Sequence, residues 1–267
     1  MKASKFLIIL SLFLFAKPVQ AQLFGKIKDK LENKAAEIVE EKLNGKKEDN
    51  KEGKTQSKSK ITLEEVYDFK PGDSTIFASN FNSIPSGAMP LDWKTTSTGE
   101  VVSINEIGGK WLKMGERTTY KLNKNIYYPT NFTLEFDILV AADKVNDLSS
   151  LYFGFTKDNS IRGWISNENI WAGKLEYMNN NDINISSRAN DLYQSSSFDL
   201  ETYANQVMHI AIEVNQNRVK IYLDKTKIAD TELFNNEKAK HFYISSPLRQ
   251  NHGARVLFSN FVVKTYK

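Results

Sequence analysis

The sequence predicts an all-β protein whose main domain, residues 61–267, is a two-sheet antiparallel sandwich. Two observations support this fold class. From position 61 onward, short runs alternate β-branched or aromatic residues with polar residues, and Asn, Asp, Gly and Ser divide one run from the next. No helical spacing of apolar residues separates these runs, whereas a parallel α/β sheet would require helices between its strands.

The clearest strands of the predicted sandwich are residues 132–140, 151–156, 207–215, 218–223, 241–245 and 254–265. The dipeptide 216–217 (Gln-Asn) has the residue types of a two-residue hairpin turn. A second turn is predicted at Gly108 and Gly109, where it would join strands 101–104 and 110–114. Both pairings would be antiparallel, and we expect roughly ten short strands in all.

Three segments precede the sandwich, and residues 1–21 have the parts of a secretory signal peptide. A basic start is followed by the apolar stretch 6–16 and by small residues that end at Ala21. As a helix this stretch would extend roughly 16 Å, about half the hydrocarbon core, so we expect cleavage and no transmembrane span. An oxidising compartment without cysteine fits a bacterial envelope, so we expect export to the periplasm or cell surface of a Gram-negative bacterium.

Residues 22–45 predict an amphipathic helix, because apolar residues recur near helical spacing from Leu23 to Leu43 and Gly45 supplies a stop signal. We expect self-association through residues 23–44, as in a short coiled coil. Contact with a membrane surface is the alternative, which the balanced charge of the helix disfavours. Residues 46–60 contain no apolar side chain and predict a charged, disordered linker.

Composition excludes several functions. The chain has no cysteine, which excludes disulfides, a cysteine nucleophile and a thiolate metal site. The formal net charge is +4, but its basic excess lies in the signal peptide and the linker. Binding to nucleic acid requires a concentrated basic face, so we expect no nucleic-acid partner.

Four groups of residues in the sandwich follow one another in a familiar order. They are Ile76, Phe77, Phe81, Gly87, Pro90 and Trp93, then the strand FTLEFDILV at 132–140, the hairpin 209–228, and FSNFVVKTY at 258–266. Their order and spacing resemble the concanavalin A-like/laminin-G-like jelly-roll superfamily over residues 74–266. The resemblance implies a jelly-roll sandwich.

The layout of the whole chain is also similar to a group of Gram-negative envelope proteins. In that group a signal peptide, a charged amphipathic helix and this sandwich precede an outer-membrane-protein-A-like domain that binds peptidoglycan. The sequence ends where such a domain would begin. We therefore do not expect the group's wall-anchoring activity here.

Enzymes also occur in the resembled superfamily, and retaining glycan hydrolases of the laminarinase type carry Glu-x-Asp-x-(x)-Glu on one strand. Glu135 and Asp137 match the first two acids and share one face of their strand, whereas Leu139 and Val140 occupy the positions of the third. Without a general acid, no group protonates the leaving oxygen. We expect no enzymatic activity, with both carboxylates on a solvated or half-buried sheet face.

No cofactor is expected from the remaining residues. His209, His241 and His252 are far apart in sequence and lack close metal-ligand spacing, and His209 is interpreted as an ordinary strand residue. The run 179–182 (NNND) could supply oxygen ligands to calcium, which several members of the resembled superfamily bind. A polar loop is the alternative for this run, because Asn and Asp tolerate turn geometry.

The stretch 161–184 is the strongest candidate for ligand binding. Its candidate residues are Arg162, Trp164, Trp171 and Tyr177. Sugars stack on aromatic planes while polar groups fix their hydroxyls. Packing in the sandwich core is the open alternative for both tryptophans, and it is what we expect of Trp93 and Trp111.

The sequence therefore predicts an exported, non-catalytic binding protein that recognises a glycan on a polysaccharide or glycoprotein. The alternative is a cell-envelope protein that binds other proteins, or has a structural role, through its N-terminal helix. A glycoside hydrolase is the third hypothesis.

Overall fold

The computed structural model describes residues 67–166, 170–179 and 182–267. The predicted signal peptide, amphipathic helix and linker lie outside these residues. The described part of the chain contains fifteen strands, three short 3-10 helices and no α-helix. All strand pairs within the two sheets are antiparallel, so the predicted all-β, two-sheet jelly-roll sandwich is confirmed.

The strands in chain order are β1 (Ser74–Ser79), β2 (Trp93–Thr95), β3 (Gly99–Ser103), β4 (Lys110–Met114), β5 (Thr119–Leu122), β6 (Asn131–Ala141), β7 (Leu151–Thr156), β8 (Trp171–Glu176), β9 (Asp182–Ser187), β10 (Leu192–Ser197), β11 (Val207–Asn215), β12 (Arg218–Leu223), β13 (Thr226–Glu232), β14 (His241–Ser245) and β15 (Arg255–Thr265). The 3-10 helices are Val145–Asp147, Tyr177–Asn179 and Glu201–Tyr203.

The strands form two sheets. Sheet A has eight strands in the order β13-β12-β11-β6-β15-β4-β3, and β1 pairs with the C-terminal half of β15. Sheet B has seven strands in the order β10-β9-β8-β7-β14-β5-β2. Both sheets alternate between a face that packs in the core and an outer face, as the period-two pattern requires.

The core lies between the sheets and is rich in aromatic rings. Phe136 of β6 packs against Phe153 of β7, with ring centroids 5.6 Å apart and planes near perpendicular. Trp93 is also buried in this core, as predicted. Trp111 is buried as well, but it packs with Leu139 in a separate cluster on the outer face of sheet A.

The alternating segments are accurate guides to the strands. Four predicted strands, including 151–156 and 207–215, match the observed bounds, while β6 extends one residue further at each end and β15 begins one residue later. The predicted turn at 216–217 joins β11 to β12. The second turn is wider than predicted, because Ser103 pairs with Lys110 and the loop between them spans residues 104–109. The expected number of strands was too low.

The segment before β1 packs on the outer face of sheet A. The rings of Tyr67 and Phe69 both contact the ring of Tyr222 edge-on. Between them, the Asp68 carboxylate accepts hydrogen bonds from the Tyr222 hydroxyl at 2.8 Å and the Lys220 ammonium at 3.1 Å. These bonds hold the pKa of Asp68 well below its usual range.

Candidate functional site

The loop between β7 and β8 covers one part of the outer face of sheet B. Ile165 packs against Ala172 and Tyr243 of the sheet, and its backbone N–H donates to Thr119 Oγ1 at 2.8 Å. The Trp164 indole donates to the Ser246 carbonyl at 2.9 Å. Because these contacts fix both the backbone and the indole, this part of the outer face is covered by the protein itself.

Beneath the same loop, Lys121 is almost completely buried. Its ammonium donates to Thr156 Oγ1 at 2.7 Å and to the Asp158 carbonyl at 2.9 Å. Burial lowers the pKa of Lys121 to about 8. The hydrogen bonds satisfy the ammonium inside the protein, so this lysine stabilises the loop and is not accessible to a ligand.

The structure separates the four residues that were predicted to bind ligand. Trp171 and Tyr177 are fully buried in the core, where Trp171 packs on Phe155 with ring centroids 5.5 Å apart. Trp164 is partly exposed and meets the ring of Tyr152 edge-on at 5.3 Å, and Arg162 is exposed two residues before it. Trp171 and Tyr177 therefore belong to the core, and the surface of this region is formed by other residues.

The phase of β8 explains the burial of Trp171. Its alternate residues Trp171, Gly173 and Leu175 face the core, and Gly173 leaves room for the Phe153 ring, which a Cβ at this position would approach to 2.5 Å. Lys174 and Glu176 consequently lie on the outer face of sheet B.

The outer face of β8, β9 and β10 carries a connected set of polar side chains. The Lys174 ammonium pairs with Glu176 Oε1, and Glu176 Oε2 accepts a 2.8 Å hydrogen bond from the Asn184 side-chain amide. Asn184 Oδ1 accepts a 2.6 Å hydrogen bond from the Tyr193 hydroxyl. At the other end, Lys174 lies 6.0 Å from the centre of the Tyr152 ring. We call Tyr152, Lys174, Glu176, Asn184 and Tyr193 the sheet B patch.

Tyr193 is the most accessible member of the sheet B patch, with 72% of its surface exposed. It lies on β10, the edge strand of sheet B, where it shares the outer face with Ser195 and Ser197. The residues predicted from the sequence did not include Tyr193, although a tyrosine among serines on the polar face of a strand is a signal that could have identified it. Asn184, by contrast, is buried, so the exposed ring is bonded to a fixed group.

The outer face of sheet A carries a different cluster. His209 of β11 pairs in register with Asp137 of β6, and its Nδ1 lies 2.7 Å from Asp137 Oδ1. Its Nε2 lies 3.4 Å from Glu135 Oε2. The hydrogen bond with Asp137, followed by that with Glu135, raises the pKa of His209 to about 9. Glu135 and Asp137 share one face, as predicted, and His209 bridges them.

The other two candidates for the third carboxylate of a hydrolase lie elsewhere. Leu139 contacts Trp111 in the outer cluster of sheet A, and Val140 is buried in the core between the sheets. Neither side chain can act as an acid.

The described residues contain no group of three or more His, Asp or Glu side chains placed to hold a metal ion. The predicted calcium run 179–182 lies partly outside them, since residues 180 and 181 are not described. Within the same described ranges, no helix has the length and apolar character needed to cross a membrane.

No protein-family model matches the sequence, and no curated protein matches it. Among solved structures, arcelin-5, a lectin-like defence protein from Phaseolus vulgaris, superposes with a TM-score of 0.50 at 12% identity, over 70% of this chain and 96% of arcelin-5. The binding domain of botulinum neurotoxin serotype D gives a TM-score of 0.49 at 16% identity and 73% coverage of this chain, which spans only 48% of that chain. Carbohydrate-binding module CBM66 from Bacillus subtilis gives 0.43 at 14% identity, over 65% of this chain and 96% of the module.

At these identities the similarity concerns the fold alone. The described sandwich has the lectin-like jelly-roll fold that arcelin-5 shows. This fold supports many functions, so the chemistry must be argued from the side chains.

Proposed function

We propose that the protein is an exported, non-catalytic binding protein that recognises a glycan through the sheet B patch. The observation that carries the proposal is the exposed Tyr193 ring, whose hydroxyl is bonded to the buried Asn184. An aromatic ring on a polar sheet face offers a stacking surface, and the bond to Asn184 limits the motion of that ring before any ligand arrives.

The polar members of the sheet B patch suit a hydroxylated ligand. Glu176 presents carboxylate oxygens as acceptors and Lys174 presents donors, while the buried Asn184 holds Glu176 and Tyr193 in place. Sugar hydroxyls both donate and accept hydrogen bonds, so a set of mixed polarity can fix their orientation. This combination of an apolar plane and a few directed polar groups is typical of small-ligand sites.

The dimensions favour more than one sugar ring. Tyr193 on β10 and Tyr152 on β7 are three strand spacings apart, which corresponds to about 14 Å across the sheet. Trp164 extends the aromatic surface beyond Tyr152, and the exposed Arg162 lies next to it in sequence. We therefore retain Trp164 and Arg162 as peripheral contacts of an oligosaccharide.

The carboxylates of sheet A support binding over hydrolysis. Both Glu135 and Asp137 are paired with His209, and no third acid follows them at Leu139 or Val140. A carboxylate that is already paired with an imidazolium is a weakened base and nucleophile. These residues also lie on sheet A, whereas the sheet B patch faces away from it.

The sequence outside the described residues is the basis for proposing export and self-association. The signal peptide at residues 1–21 is expected to direct the chain to the periplasm or cell surface of a Gram-negative bacterium. The amphipathic helix at 23–44 would bring copies together, and several copies of a weak glycan site bind a repetitive polysaccharide with avidity.

A glycan array tests the proposal directly. The mature chain is screened with and without calcium, and each glycan that binds is then incubated with the protein in a reducing-sugar assay. We expect reproducible binding to at least one oligosaccharide, weakened by Tyr193→Ala, and no release of reducing sugar. Binding that Tyr193→Ala leaves unchanged would contradict the assigned site, and release of sugar would contradict the non-catalytic role.

A further inference from the structure

A polar groove lies beside sheet A, on the side of the sandwich opposite to the sheet B patch. It encloses about 350 Å³ between the turn after β1 and the loop 104–109, at the lower end of the volumes typical of small-ligand sites. The polar side chains that line it are Asn80, Asn82, Lys110, Asp137, Ser259 and Asn260. The Lys110 ammonium is already bonded to the Ile84 carbonyl. Three carboxamides, one carboxylate and one ammonium group therefore surround this groove.

A β-bulge aims one of these side chains into the groove. Ser259 pairs with Asp137 and Val262 with Glu135, so β15 contains one more residue than β6 across this interval. Asn260 takes up the extra residue in a left-handed conformation, with φ 53°. Bulges re-orient a side chain in this way and are frequent beside functional sites.

Hydrogen bonds to neighbouring side chains fix the Asp137 carboxylate in the groove. Asp137 Oδ2 accepts a 2.7 Å hydrogen bond from Asn260 Nδ2, while its Oδ1 is bonded to His209 Nδ1. His209 in turn is paired with Glu135. The orientation of the Asp137 and Asn260 side chains is therefore set before a ligand binds.

Polar atoms remain to meet a ligand. Asn260 Nδ2 donates to Asp137, whereas Asn260 Oδ1 makes no hydrogen bond within the described part of the chain. Asn80 Oδ1 accepts a hydrogen bond from the Asn82 N–H, whereas Asn80 Nδ2 makes none there. Each carboxamide thus presents one unused group, and Asp137 adds carboxylate oxygens. Neighbouring donors and acceptors of this kind match the adjacent hydroxyls of a pyranose ring.

We propose that this groove is a second saccharide-binding site, independent of the sheet B patch and specific for one or two neutral sugar rings. The two sites lie on outer faces of opposite sheets. A chain with both sites can bridge two glycan strands, and simultaneous engagement raises the apparent affinity without any new contact.

The test uses the full mature chain, labelled with 15N and titrated separately with the methyl glycosides of glucose, galactose, mannose and N-acetylglucosamine. The readouts are the side-chain amide signals of Asn80 and Asn260 and the backbone amide signals of Gly108 and Gly109. Asn260→Gly removes the carboxamide and retains the left-handed backbone, which glycine adopts without strain. Asn236→Gly is the matched control, because Asn236 also has a positive φ, 55°, and lies outside the groove.

We expect at least one glycoside to shift the groove signals in the wild type, in Asn236→Gly and in Tyr193→Ala. Asn260→Gly should weaken that binding about tenfold, the effect of losing one to two hydrogen bonds. The proposal is overturned if no glycoside shifts these signals, or if Asn260→Gly binds as the wild type does. Loss of the groove shifts in Tyr193→Ala would overturn the independence of the two sites, whereas failure of the sheet B patch alone leaves the groove signals intact.

Discussion

The hydroxyl of Tyr193 donates a 2.6 Å hydrogen bond to Oδ1 of Asn184, which joins the most exposed ring on sheet B to a buried carboxamide. A solitary tyrosine on an edge strand would sample several rotamers, and ordering it on a ligand would cost entropy. The bond to Asn184 reduces this cost in advance. It also links the ring, through Glu176, to the charge of Lys174.

Substituting the two tryptophans of residues 161–184 should show, by the loss in free energy of unfolding, which ring lies in the core and which at the surface. Trp171→Ala removes a fully buried side chain and should lower the free energy of unfolding by about 3–5 kcal/mol. Trp164→Ala removes a partly exposed ring and should cost about 1–2 kcal/mol. Urea denaturation followed by circular dichroism measures both. Equal losses in the two variants would contradict the placement of these rings.

The buried hydroxyl of Tyr177 should be dispensable. It has no hydrogen-bond partner among the described residues, so Tyr177→Phe removes an unsatisfied polar group from the core. We expect the free energy of unfolding to stay within about 0.5 kcal/mol of the wild type or to rise. Tyr120→Phe is the control, because the Tyr120 hydroxyl accepts a hydrogen bond from the Gly115 N–H at 2.8 Å and its loss should cost about 1–2 kcal/mol. A marked loss in Tyr177→Phe would show that a partner exists.

His209 should make stability depend on pH in the alkaline range. Its pKa is raised to about 9 in the folded protein, above its ordinary value of 6.5, by the bonds with Asp137 and Glu135. The folded state therefore binds the proton more tightly, so this stabilisation is complete below pH 6.5 and is lost as the pH rises through 9.

Urea unfolding of the wild type and of His209→Gln at a series of pH values checks this effect. The difference in free energy of unfolding between the two proteins should shrink as the pH rises from 6.5 to above 9. A difference that is constant over this range would contradict the pairing of His209 with the two carboxylates.

The N-terminal processing is a separate prediction from the sequence. Export in a Gram-negative host should remove residues 1–21, so that the mature chain begins at Gln22. Intact-mass spectrometry of the exported protein measures this directly. A mass that includes Met1 on the exported chain would contradict the signal peptide.

The fold was predictable because the period-two alternation of a strand can be read from its own consecutive residues, without knowledge of its neighbours in the sheet. The strands at 151–156, 207–215 and 218–223 could be bounded from the sequence, since each contains apolar residues at every second position or ends at a turn. Strand β10 (LYQSSS) lacks this contrast, whereas β9 (DINISS) shows it only at Ile183 and Ile185. They were not identified, and the number of strands was underestimated.

The candidate site was only partly predictable, for two physical reasons. The choice between Trp171 and Lys174 for the outer face depends on the phase of β8 relative to the other sheet, which the sequence does not specify. His209 and Asp137 are 72 residues apart, and only the register between β11 and β6 brings them together. The segment 161–184 contains three members of the proposed sheet B patch, namely Lys174, Glu176 and Asn184.

The measurement that tests the central proposal most directly is the affinity of an array-identified oligosaccharide for wild-type, Tyr193→Ala and Tyr127→Ala proteins by isothermal titration calorimetry. Tyr127 is the matched control, because its side chain is 76% exposed and it lies outside the sheet B patch. We expect Tyr193→Ala to weaken binding roughly tenfold or more, as the loss of one stacking surface implies, while Tyr127→Ala binds as the wild type does. Unchanged affinity in Tyr193→Ala, or equal losses in both variants, would contradict glycan recognition through the sheet B patch.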